Sequence, residues 1–203
     1  YELVRLGRTR IAEEIDRAHA AIGAAANAPP VGFRCPGYEV SNEVIALLAE
    51  RAYAYDSSAF PSLPYYGAKA AVMGAMRALG RTSGSILGSP RVLLAPRTPY
   101  RPSLEGVYRR GDAPLLELPM AVTPWLTLPV IGTSIITFPE LVRRRIVASA
   151  LRTPFFNLEL HGIDLADAEA DGIPPALVAK QPDLRVPLPR KLAALRATLL
   201  EAQ

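Results

Sequence analysis

Val31–Ser58, VGFRCPGYEVSNEVIALLAERAYAYDSS, is the stretch whose reading decides the fold. Its apolar opening is broken by Arg34, turns through Pro36 and Gly37, and resumes at Ser41. Serine caps helices well, because its hydroxyl accepts one of the unpaired N–H groups of the first turn. Glu43 then complements the positive end of the helix dipole. Val44, Leu47, Leu48 and Arg51 follow at helical spacing, and a second short run, Tyr53 to Tyr55, ends at Asp56-Ser57-Ser58. The order is strand, turn, helix, strand. A βαβ unit lays its two strands parallel with both C-terminal ends on one rim, so Arg34 and Asp56 are expected on the same edge.

The 203 residues suffice for one core and nothing forces two domains, so a single domain over 1–203 is expected. Half the residues are apolar and 21% are charged, the balance of a globular chain. A net charge of +4 favours anionic partners but is too small an excess to indicate nucleic acid. Arg143-Arg144-Arg145 also lacks the interleaved aromatics that stack on single-stranded bases. Cys35, the lone cysteine, excludes an internal disulfide and a thiolate zinc cluster, and it leaves the compartment open between cytoplasm and cell envelope. The chain begins at Tyr1, inside an apparent helix with no signal peptide before it, and reads as a piece of a longer protein.

Residues 2–25 carry Leu3, Leu6, Ile11, Ile15, Ala18 and Ile22 at three- and four-residue steps, the pattern of an amphipathic helix. His19 borders that stripe and reads as a surface or packing histidine rather than a ligand. After the βαβ unit, Pro61 and Pro64 deny a strand, and a helix is expected from Gly67 to Leu79, closed by Gly80. Residues 81–112 are too rich in proline, glycine and serine for long elements and read as an excursion with short strand pieces such as Arg91–Ala95. Leu115–Met120 reads as a buried strand. Leu118–Phe138 holds no charge and is long enough to span a bilayer, but Pro119, Pro124, Pro129 and Gly132 argue for a core strand and apolar loop instead. Trp125 in that loop either stacks on a sugar face or fills the core. A helix over Pro139–Leu151 is expected to turn Leu141, Val142, Ile146 and Leu151 inward and to leave Arg143–Arg145 mostly solvated. Phe155–Leu160 reads as a strand, and Arg190–Leu200 as a last amphipathic helix with Leu192, Leu195, Leu199 and Leu200 inward. Period two puts Glu159 and His161 on one face, where a carboxylate can hold an imidazole ready to donate a proton.

FRCPGY, the helix after it and the YDSS ending resemble the middle of the polysaccharide deacetylases, the NodB-homology family, whose third motif is Arg-x-Pro. The resemblance covers most of the chain, most loosely between Pro61 and Asp112. It implies an α/β fold, the C-terminal part of a distorted (β/α) barrel, here incomplete. It also implies metal-dependent hydrolysis of N-acetyl groups on a glycan or a related amide. Arg34 would orient the catalytic-base aspartate, or else only close the barrel with a salt bridge. A backbone N–H after Pro36, at Gly37, would meet the oxyanion, and Tyr38 would pack against the sugar. Leu160-His161 resembles the family's Leu-x-His ending: His161 would be the general acid and Leu160 would line the substrate pocket, although Glu159 stands at the motif's leucine position. Asp56 either caps a turn or touches substrate, and Glu117 and Trp125 fall near the fourth motif without matching its spacing. Family members hold a divalent metal, zinc or similar, with an aspartate and a His-x-x-x-His pair. This chain has only His19 and His161, so it is expected to hold no metal and to be inactive alone. Arg34 and His161 are expected to share a rim. The non-catalytic alternatives are a carbohydrate-binding or a membrane-surface protein.

Overall fold

The computed structural model describes residues 3–81 and 86–203. Glu2, where the first helix is expected to begin, and positions 82–85 of the expected excursion lie outside the described residues. The chain is a mixed α/β protein that divides into two compact units, Tyr1–Pro119 and Met120–Gln203.

In the first unit Leu3–Arg5 is a single 3₁₀ turn, and Gly7 caps α1, Arg8–Ala26. The expected helix therefore starts later, because the chain stays extended at Gly7. Ile11 and Ile15, one turn apart, are the buried residues of α1, each worth about 1.5–3 kcal/mol of burial. β1 (Gly32–Phe33), α2 (Asn42–Glu50) and β2 (Tyr55–Asp56) form the βαβ unit read from the sequence. The Ser41 hydroxyl accepts the Val44 N–H at 3.3 Å, and Val44, Ile45, Leu47 and Leu48 are buried. β1 and β2 run parallel with Gly32 opposite Tyr55 and Phe33 opposite Asp56. Glycine at 32 has a steric cause: a Cβ there would lie 2.1 Å from the Tyr55 ring.

α3, Leu63–Ala78, begins four residues before expectation because the Ser62 hydroxyl caps it and Pro64 is tolerated in the first turn. Gly80, at φ 67°, follows its C-terminus as expected. Pro90–Leu94 is a 3₁₀ helix rather than a strand, since Pro90 opens a helical turn that Ser89 caps. β3 (Pro102–Ser103) and β4 (Gly106–Arg110) pair antiparallel, and β5 (Leu116–Glu117) joins β2 in parallel. The sheet is three-stranded and parallel, in the order β1-β2-β5.

The second unit contains α4 (Gly132–Thr137), α5 (Glu140–Ala150), α6 (Pro175–Val178) and α7 (Leu188–Glu201). No helix among the described residues is long and apolar enough to cross a membrane. The apolar run instead folds as a bridged turn, Val122 against Pro129, followed by α4. The inward faces of α5 and α7 differ from expectation. On α5 the buried stripe is Arg143, Ile146, Val147 and Ala150, while Leu141 and Val142 face solvent. On α7 it is Lys191, Leu195 and Thr198, with Leu192, Leu199 and Leu200 exposed. In both helices the buried side chains keep helical spacing, but a cation takes one place in the stripe. Phe155–Leu160 is an extended segment rather than a strand, bridged in parallel to Ile131 at Glu159.

Ser41→Ala is expected to lower stability by about 1 kcal/mol through loss of the α2 cap, and Ile45→Ala by about 2–5 kcal/mol through a cavity. Denaturant titrations with unchanged m-values would check both.

Candidate functional site

The C-terminal ends of β1, β2 and β5 carry the first cluster of polar side chains. Arg34 follows β1, Asp56 ends β2 and Glu117 ends β5, with Asp56 and Glu117 directly in register. Parallel register points these two side chains to the same face of the sheet. Both are fully buried. Arg34 and Asp56 thus reach one edge, as the βαβ reading requires, but they do not pair. The Arg34 guanidinium donates from Nε to the Ser57 carbonyl and from Nη2 to the Ser57 hydroxyl, each at 2.8 Å. That hydroxyl donates to the Leu118 carbonyl at 2.9 Å, tying Arg34 across the sheet.

Ser58 and Glu117 organise the interior of the cluster. The Ser58 hydroxyl accepts the Cys35 N–H and donates to Asp56 Oδ1, both at 2.8 Å. Glu117 Oε1 accepts the N–H groups of Ser58 at 3.0 Å and Ala59 at 2.8 Å. Asp56 Oδ2 and Glu117 Oε2 find no donor. Two adjacent buried carboxylates cannot both stay charged, and one proton held between them satisfies both of these oxygens. Burial, reinforced by the neighbouring Glu117 charge, pushes the Asp56 carboxyl well above the usual range. Burial also raises Glu117, against the opposing pull of its hydrogen bonds. Burial pushes the Cys35 thiol up as well, so it is not an activated nucleophile.

Pro36–Tyr38 is a tight turn with two successive left-handed residues, Gly37 at φ 68° and Tyr38 at φ 63°. The Tyr38 N–H donates to the Cys35 carbonyl at 3.1 Å, closing the turn. Its ring meets Phe60 and Tyr65 edge-on, with centroids 5.3 and 5.8 Å away. A groove of about 590 Å³ runs past Phe33, Arg34, Pro36, Tyr53, His19 and Ile22. His19 Nδ1 lies 3.0 Å from the Tyr53 hydroxyl, within hydrogen-bond distance.

His161 and Leu160 belong to the second unit. The exposed His161 imidazole has Nε2 3.0 Å from Oε1 of the buried Glu159, the pairing that period two suggests. The His161 N–H donates to Asp164 Oδ2 at 2.7 Å, and the Asp164 N–H returns a bond to the His161 carbonyl at 3.0 Å. Lys191, fully buried, donates to the carbonyls of Ile163 at 3.0 Å and Ala166 at 2.8 Å and so clamps the following turn. Burial raises the carboxyl of the nearby Asp183, and the charge of Asp164 adds to the shift. Gly132 donates its N–H to the Glu159 carbonyl at 2.9 Å, and a Cβ on it would fall 2.0 Å from Asp164 Oδ2. Leu160 is partly exposed beside His161. Trp125 is 90% exposed, which removes the core-filling alternative.

Among the described residues no group of three or more His, Cys, Asp or Glu side chains is placed to hold a metal ion. His19 and His161 lean on Tyr53 and Glu159 instead. Ser57, Ser58, Asp164 and Lys191 escape sequence reasoning as site-building residues. The two serines lie inside the YDSS signal, Asp164 stands three residues after His161 at capping-box spacing, and only tertiary packing marks Lys191.

Asn at position 56 can accept from Ser58 and donate to Glu117, mimicking the protonated acid. A carboxyl raised in the folded state binds a proton that the unfolded chain has already lost, so its contribution to stability falls as pH rises from the unfolded value, about 4, toward the folded one. Asp56→Asn is therefore expected to fold, to match the wild type at pH 4, and to exceed its stability at pH 8, as read by urea titration across pH. Asp164→Ala is expected to speed amide hydrogen exchange at His161 without unfolding the chain. No protein-family model, curated protein or solved structure gives a significant match to this chain.

Proposed function

We propose that these residues form part of a polysaccharide deacetylase, an enzyme that hydrolyses N-acetyl groups on a sugar, with the architecture of an incomplete (β/α) barrel. The observation that carries the reading is the exposed His161 imidazole set 3.0 Å from the buried Glu159 carboxylate. Such a pair suits a general acid, because the carboxylate fixes the orientation of a ring that can hand a proton to a leaving amine. Arg34 supports the same reading. Ser57 occupies two of its donors, and no carboxylate forms an ion pair with it among the described residues, so its fork can receive an aspartate from another segment. The Tyr38 N–H closes its own turn, which leaves the Gly37 amide as the candidate donor to a developing oxyanion. Pro36 and Tyr38 of the first unit would contact the sugar or its acetyl group. The base carboxylate and metal ligands of such an enzyme would come from outside these 203 residues. The chain alone is expected to release no acetate.

The 90% exposure of Trp125 favours a second reading, glycan binding without chemistry. Trp125 is the chain's sole tryptophan, so its fluorescence would report N-acetylglucosamine oligomers directly, and the same titration with anionic vesicles would reveal a membrane surface instead.

The decisive test is acetate release from chitin oligomers by the full translation product of the gene, with zinc supplied. Arg34→Ala and His161→Ala are each expected to lower kcat by about 10²-fold or more. Undiminished release by both variants, no release by the unaltered product, or release by the 203 residues alone would overturn the reading.

A further inference from the structure

We infer that the second unit holds a binding site for a small oxyanion, a carboxylate or phosphate on a short apolar chain, built around Arg143. This inference uses neither Arg34 nor His161. Arg143 lies in the buried stripe of α5 and is only 5% exposed. Its Nη1 donates to the Thr198 hydroxyl at 3.2 Å and more weakly to the Ala194 carbonyl at 3.4 Å. Both acceptors are neutral, and no ion pair to Arg143 is formed among the described residues. Withdrawing a guanidinium from water against neutral acceptors leaves its charge uncompensated, a state that proteins ordinarily avoid by pairing.

Arg143 also lines a pocket of about 290 Å³ between α4, α5 and α7. Arg190 joins it there, and Glu140 is the one acidic residue on the wall, so the pocket keeps an excess of one positive charge. Glu140 and Arg190 are both exposed, leaving Arg143 as the buried charge of the site. The rest of the wall is apolar, with Ile135, Ile136, Phe138 and three alanines of α7. A planar fork matches the paired oxygens of a carboxylate or phosphate, and the apolar wall suits a few methylenes rather than a free inorganic ion.

The probes are hexanoate, hexyl phosphate and, as a neutral control, hexanol, each titrated at millimolar concentration into the intact chain by calorimetry. Both anions are expected to bind and hexanol not, with the tighter anion identifying the headgroup. Arg143→Met keeps the buried stem and is expected to weaken anion binding at least about tenfold. If that variant does not fold, the Arg143 Nε–H resonance of the wild type gives the answer, because it is expected to shift on hexanoate titration. Silence of the wild type toward both anions, hexanol binding as tightly as hexanoate, a folded Arg143→Met with undiminished affinity, or an unmoved Nε–H resonance would each overturn the inference.

Discussion

The carboxyl pair at the ends of β2 and β5 is the constraint on which the first unit depends. Asp56 and Glu117 are drawn side by side by strand register, sealed from water and left with two oxygens that no donor reaches. A single retained proton resolves that conflict. The surrounding hydrogen bonds hold both members of the pair: Ser58 reaches Asp56 and the Cys35 amide together, while Glu117 gathers the amides of Ser58 and Ala59. Three short strands share so few ladder bonds that this side-chain network does much of the joining. Arg34 sits at its margin, steered by Ser57 rather than by either acid.

How much of this was legible in the sequence follows from how local each cause is. The βαβ unit could be read because its punctuation is local: Pro36-Gly37, the Ser41 cap and Asp56-Ser57-Ser58 each mark a boundary within a few residues. The Asp56–Glu117 contact could not be read, since its partners lie 61 positions apart and only β5's register brings them together. Arg91–Ala95 failed as a strand because the cap at Ser89 and Pro90 outweighed its apolar composition. Arg143 and Lys191 failed for a different reason. A hydropathy stripe excludes cations by construction, so the reading moved each inward face toward the leucines, although helical spacing itself was correct.

The pairing of Glu159 with His161 was legible, because extended backbone places alternate residues on one side whether or not a ladder forms. What holds the histidine was not. Asp164 ties its backbone from three residues on, a capping-box spacing that went unread, and Lys191 fixes the turn that follows from 25 and 28 positions away, where no local pattern marks it. Arg34 and His161 belong to different units, so each owes its orientation to its own surroundings: Ser57 for one, Glu159 and Asp164 for the other.

Gly132 shows how far such dependence extends. Its amide is bonded to the backbone of Glu159 while its bare α-carbon abuts Asp164, so one hydrogen atom in place of a methyl group sets the spacing on both sides of an imidazole about thirty positions downstream. A methyl group added there would collide with the Asp164 carboxylate, whose Oδ2 holds the His161 amide, without touching the imidazole. A mutational scan would then register position 132 as sensitive, even though the residue there has no chemistry of its own.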